Sequence, residues 1–158
     1  MNDERTFLRH ALATISYRGG KALRDAPDDF GSFAAGSGSR TAVQILAHIG
    51  DLFDWMLALA NGEHRWTPTE TDDWDGQVER FFERMTAVDA RLSSPEPLHR
   101  PAERLFQGPL ADALNHIGQI AMLRRLAGSP VRGENYYKAD IRAGVVGREQ
   151  PPPRYEFD

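Results

Sequence analysis

Three side chains in this sequence could converge on one ion. His116 lies in the run Asp112-Ala113-Leu114-Asn115-His116-Ile117-Gly118-Gln119-Ile120. At about 100° per residue, Asp112, Ile120 and Leu123 all fall within about 40° of it. A carboxylate and an imidazole four residues apart on a helix have β-carbons about 5–6 Å apart, so their tips can meet on one cation. The face they share otherwise carries small or apolar groups and Gln119, and it reads as the inward face of its helix with His116 at the centre. Polar groups on such a face are costly unless satisfied, either by a metal ion or by a plain hydrogen bond between the pair. His48 adds weight to the metal. It stands on the stripe Ile45, His48, Leu52, Trp55 and Leu59 of an earlier helix. From there it would complete a two-histidine, one-carboxylate set with open positions, suited to zinc or a divalent iron-like metal.

Four helical segments must position these groups. The first runs from about Glu4 to Leu23, with Leu8, Ala11, Leu12, Ile15, Gly19, Ala22 and Leu23 three and four apart. The stretch from Ala26 to Ser39, rich in Gly, Pro and Asp, reads as a loop. A second helix starts with Ser39 or Thr41 as N-cap and ends at Ala60, before the stop signal Asn61-Gly62. The third begins near Thr71, with Asp72, Asp73 and Asp75 at its positive end, and presents Val78, Phe81, Phe82, Met85, Val88 and Leu92. The fourth is expected to open at Gly108-Pro109 and to stop at Gly128-Ser129-Pro130. No strand pattern competes with these, so the expected fold is an all-α four-helix bundle over residues 1–130 with long connections. Residues 131–158 lose periodicity and read as an irregular tail packing on the bundle, in which Tyr136, Tyr137 and Lys138 are the residues to follow.

Composition narrows the function classes. A chain of 158 residues without cysteine has no disulfide, no thiolate metal site and no cysteine nucleophile. Any thiol in its chemistry has to come from a bound cofactor. A net charge of −4 with no basic stripe argues against nucleic acid as partner. The charged start Met1-Asn2-Asp3-Glu4-Arg5 does not resemble a signal peptide, and Asp51, Asp54, Arg124 and Arg125 interrupt the longest apolar stretches, so neither export nor a membrane span is expected. The expected location is the cytoplasm. The back face of the fourth helix, Ala111, Leu114, Gly118 and Ala121, is also small or apolar, which points to a homodimer or to cover by the tail.

Other candidates have plainer readings. Glu96-Pro97-Leu98-His99 mimics a di-iron motif, but Pro95 and Pro97 favour a loop. Gly36-Ser37-Gly38-Ser39 precedes a helix without the lysine of a phosphate-binding loop. His10 and His64 read as surface residues, and Arg124-Arg125 as a solvated or interfacial helix end. Trp55, two turns beyond His48, would fill core or wall the cavity.

The segments Ile45-Leu46-Ala47-His48-Ile49-Gly50-Asp51-Leu52 and Asn115-His116-Ile117-Gly118-Gln119-Ile120 resemble the DinB-like superfamily of four-helix proteins, also described as YfiT-like metal-dependent hydrolases. The resemblance spans about Arg5 to Gly128. It implies a divalent metal, often nickel or zinc, held by three histidines. One lies on helix two, and two lie four residues apart on a helix ending in His-x-x-Gln. Position by position, this assigns His48 and His116 as ligands and puts Asp112 where the family carries histidine. Gln119 becomes a neighbour of the ligands rather than a ligand itself. The implied activity is hydrolysis, or transfer or isomerisation with a low-molecular-weight thiol, on a small-molecule substrate. The alternative is a non-catalytic dimeric binding or stress-related scaffold with a degenerate, metal-free site.

Overall fold

The computed structural model describes residues 3–157; Met1 and Asn2, part of the charged start, and Asp158 lie outside the described residues. Four long helices form the bundle: α1 (Asp3–Leu23), α2 (Ala42–Ala60), α3 (Trp74–Ser93) and α5 (Ala111–Leu126), the last preceded by the short α4 (Ala102–Leu105). Both α1 and α2 pack against α3 and against α5, so these two sequential helices stand at diagonal corners. The long connection between them makes that arrangement accessible. Within it Phe30 is buried edge-on against Trp74, with ring centroids 5.2 Å apart.

Local chemistry sets the ends of α2. The Thr41 hydroxyl accepts from the Gln44 backbone N–H, and the Gln44 side chain accepts from the Thr41 N–H at 2.9 Å, forming a capping box. At the other end Gly62 adopts φ +89°, a conformation that favours glycine, and turns the chain out. By length and composition α2 is apolar enough to cross a membrane, with a mean hydropathy of 1.3 over its best window, Asp51 and Asp54 notwithstanding. Its apolar side chains serve the bundle core, however, with 67% of that window buried.

The last helix differs from the expected one. It does not begin at Gly108-Pro109 but at Ala102, and it passes through a π turn over Phe106–Leu110 that contains both residues. Proline has no N–H to give a carbonyl four residues back, and the wider π turn accommodates that loss without ending the helix. The inward face of α5 is likewise not centred on His116. Ala113, Ile117, Ile120 and Leu123 are its buried apolar residues, and His116 sits on the flank. The same displacement holds on α2, where Leu46, Ile49, Phe53 and Met56 point deepest and His48, Trp55 and Leu59 are only partly buried.

Arg124 is also not solvated. It is 5% exposed and gives its guanidinium to the end of α1, donating to the carbonyls of Ala22 and Arg24 (2.9 Å each), Asp25 (3.3 Å) and Ser129 (2.9 Å). Asp25 takes φ +54° there, a strained value for a residue with a side chain. Arg124→Ala is therefore expected to destabilise the fold by about 3 kcal/mol, because several buried carbonyls lose their donor together. Arg124→Lys should recover only part of this, since one ammonium cannot span the same fork. Urea unfolding of the two variants checks both values.

After Pro130 the chain packs on α1. Glu134, in the two-residue strand β1 (Gly133–Glu134) paired with β2 (Glu156–Phe157), accepts from the Tyr17 hydroxyl (2.7 Å) and Lys21 (2.8 Å). Those two donors hold the Glu134 carboxyl below its usual pKa despite burial. Tyr136 lies under Arg18 on the same helix, Lys138 packs over Tyr155, and Tyr137 is exposed. On the small-residue face of α5, Leu114 is exposed and a side chain at Gly118 would meet nothing within 4 Å, while Ala111 and Ala121 are partly buried.

Candidate metal centre

The seam between α2 and α5 brings together the three side chains singled out by spacing. His48 comes from α2, and Asp112 and His116 come from successive turns of α5. One potential ligand atom from each lies within 4.8 Å of the other two, a group that could hold a metal ion. His48 Nε2 stands 3.6 Å from Asp112 Oδ2 and His116 Nε2 stands 3.5 Å from Asp112 Oδ1. The imidazole rings meet edge to face, centroids 4.7 Å apart at 88°.

These separations bear on the two readings of the set. They are too long for N–H···O hydrogen bonds, which run about 2.7–3.2 Å. The three groups face one another without satisfying one another. Ligands about 2.1 Å from a common ion at tetrahedral or octahedral angles stand about 3.0–3.4 Å apart. The set spans up to 4.8 Å between single ligand atoms, so its side chains close in by as much as about 1.5 Å on seating such an ion. Side-chain exposures of 20% for His48, 12% for His116 and 45% for Asp112 place the set in an open groove rather than in the core. Coordination positions not taken by protein would therefore face outward.

Protonation favours ligation. Burial pushes the His48 pKa below the ordinary imidazole value, the neighbouring His116 and Arg40 add to that, and Asp112 only partly opposes it. His48 is thus neutral near pH 7, with a lone pair to give. For His116 the tautomer follows from its neighbour. Nδ1 lies 2.7 Å from Gln119 Oε1, so with that amide oxygen accepting, Nδ1 carries a proton and Nε2 is the nitrogen turned to Asp112. Gln119 thereby orients the imidazole without entering the ligand set. Replacing it with leucine is expected to weaken divalent-metal binding by roughly 10–100-fold at unchanged stoichiometry. Isothermal titration of the variant against the parent protein measures this.

Trp66 was not visible to spacing arguments. It packs edge-on against the His48 ring at 5.4 Å, in place of any hydrogen bond to His48 Nδ1 among the described residues. Trp55 is linked to the centre through it. Trp55 stands 5.9 Å from Trp66 and 6.0 Å from His64, lies over Gly108, and leaves its buried Nε1 without a partner among the described residues. Trp66 belongs to the irregular segment between α2 and α3, and one buried residue ties that segment down. Asp51 accepts from both the backbone N–H (2.8 Å) and the hydroxyl (2.7 Å) of Thr69, and from Arg80 (2.8 Å). Arg80 reaches it across Gly50, where any side chain would run into the guanidinium.

The remaining candidates lie elsewhere. His10 is exposed, His99 belongs to a loop and packs against Gly62, and the Ser39 hydroxyl closes its own glycine loop onto the Gly36 carbonyl. No family profile, curated protein or solved structure matches this chain.

Proposed function

We propose that this chain is a DinB-like metal protein, in which His48, Asp112 and His116 hold one divalent ion of the nickel, zinc or iron-like group. The observation that carries the proposal is the pair of imidazole Nε2 atoms facing the two oxygens of one carboxylate from two helices, none within hydrogen-bonding distance. Two histidines and a carboxylate are a donor set such ions accept. An ion bound there supplies Lewis-acid chemistry. The chain's own part is to hold His116 by Gln119, to shelter His48 beneath Trp66, and to keep the exposed side of Asp112 open to a small molecule. The activity that fits is hydrolysis, or a transfer that uses a soluble thiol, because the protein carries no thiol itself. A second copy would meet the small-residue face of Ala111, Leu114, Gly118 and Ala121.

The two chemistries separate in one experiment. Metal-loaded protein is assayed on ester substrates and on an electrophilic thiol acceptor, each with and without added low-molecular-weight thiol. Turnover that requires metal and disappears in His48→Ala supports the proposal, and its dependence on thiol tells transfer from hydrolysis. Equal turnover in chelated protein and in the variant would sink it.

A further inference from the structure

A pocket of about 440 Å³ opens beside the metal-ligand set, between the segment that leads into α2 and the second half of α5. Its size falls in the range of small-molecule sites, roughly 300–1,000 Å³. Ile45, Met122, Leu123 and Leu126 give it an apolar wall, and His116 and Gln119 bring the candidate metal centre to it. Met122 and Leu126 are each 56% exposed although they lie one turn apart on the same helix. Among the described residues nothing covers that apolar surface.

The one charged side chain in this lining other than histidine is Arg40. Among the described residues it makes no hydrogen bond or ion pair, unlike Arg9, Arg80 and Arg124, each of which is fully engaged. Its positive charge is close enough to act on His48. The adjoining end of α2 offers few free donors, since the Thr41 and Gln44 N–H groups close the capping box and the Ala42 N–H bonds to the Phe33 carbonyl. An anion arriving here is therefore read by the guanidinium, which matches a carboxylate with two parallel hydrogen bonds.

We infer that this pocket binds a small organic acid with an apolar body. Arg40 pairs with the carboxylate while Ile45, Met122, Leu123 and Leu126 cover the body beside His116. A sugar or nucleotide would leave the apolar wall in contact with polar groups, and a neutral hydrocarbon would leave Arg40 unused. The inference rests on the proposed metal centre only for what the acid is presented to, so its test runs on metal-free protein as well.

Octanoate, octan-1-ol and acetate are titrated into full-length protein, with and without bound nickel, and followed by amide NMR shifts. Octanoate is expected to move the signals of His116, Met122 and Leu126, with octan-1-ol binding roughly tenfold or more weakly and acetate not at all. Arg40→Gln should bring octanoate down to the level of the alcohol in metal-free protein, and Leu126→Gln should weaken both ligands. No shifts at these residues, or undiminished octanoate binding in Arg40→Gln, overturns the inference. Arg40-dependent octanoate binding by a protein that takes up no metal would leave the pocket assignment standing and remove only the metal centre.

Discussion

Asp51→Ala is expected to destabilise the protein by about 3–5 kcal/mol, the usual effect of removing one partner from a buried charge pair. The carboxylate is 3% exposed and accepts three hydrogen bonds, two from Thr69 and one from Arg80. Its loss leaves the Arg80 guanidinium with the half-exposed Asp54, 2.6 Å away, as its one remaining anionic partner among the described residues, beside the neutral acceptors Ala47 O and Gln77 Oε1 at 3.2 Å each. An exposed ion pair of that kind contributes about 0–1 kcal/mol and cannot make up the difference. The change should also release the segment between α2 and α3. Limited trypsin cleavage after Arg65, whose side chain is 70% exposed in that segment, should rise in parallel with the loss of stability. A loss under about 1 kcal/mol in urea unfolding, with cleavage unchanged, would show that Thr69 and Arg80 do not depend on Asp51 in this way.

Asp112→His is expected to tighten nickel or zinc binding by roughly tenfold or more, since imidazole suits these borderline metals better than a single carboxylate oxygen. The exposure of Asp112 leaves room for the larger ring, so the fold should be unaffected. The charge of the ligand set would change from −1 to neutral, so the gain should be greatest for zinc and nickel and absent for magnesium, which prefers oxygen. Competition titration against a chromophoric chelator measures the ratio. Unchanged or weaker binding would mean that the third ligand is not residue 112.

Much of the frame could be read from spacing because it rests on local rules. Helix α2 follows a capping box and an Asn-Gly stop, and α3 keeps the stripe Val78, Phe81, Met85, Val88 and Leu92, although it opens at Trp74 on the Asp73 N-cap rather than near Thr71. The entry to the last helix is not legible because Pro109 looks like a first helical residue, whereas a π turn carries it inside a longer helix. The burial of Arg124 is not legible because its partners, the carbonyls closing α1, lie about a hundred residues earlier, and no periodicity links them.

The candidate centre shows the same division. The i, i+4 relation of Asp112 and His116 is a property of one helix and was legible, as was the turn-related Gln119. Periodicity placed His48 and His116 on core faces, yet both lie on the rims of those faces. A rotation of less than one residue separates the core from the α2–α5 seam, and tertiary packing selects between them. Trp66 and Arg40 reach the centre from irregular segments, through the Thr69 anchor and the capped start of α2 respectively. Such long-range placements leave no trace in spacing.

The most direct test is the metal content of protein purified without a histidine tag and exchanged into metal-free buffer after loading. The account predicts one divalent ion per chain, retained by the parent protein and lost in both His48→Ala and His116→Ala, with the helical content of all three the same. A protein that retains no ion, or single-alanine variants that retain it at the parental stoichiometry, would contradict the assignment of His48, Asp112 and His116 as a metal centre.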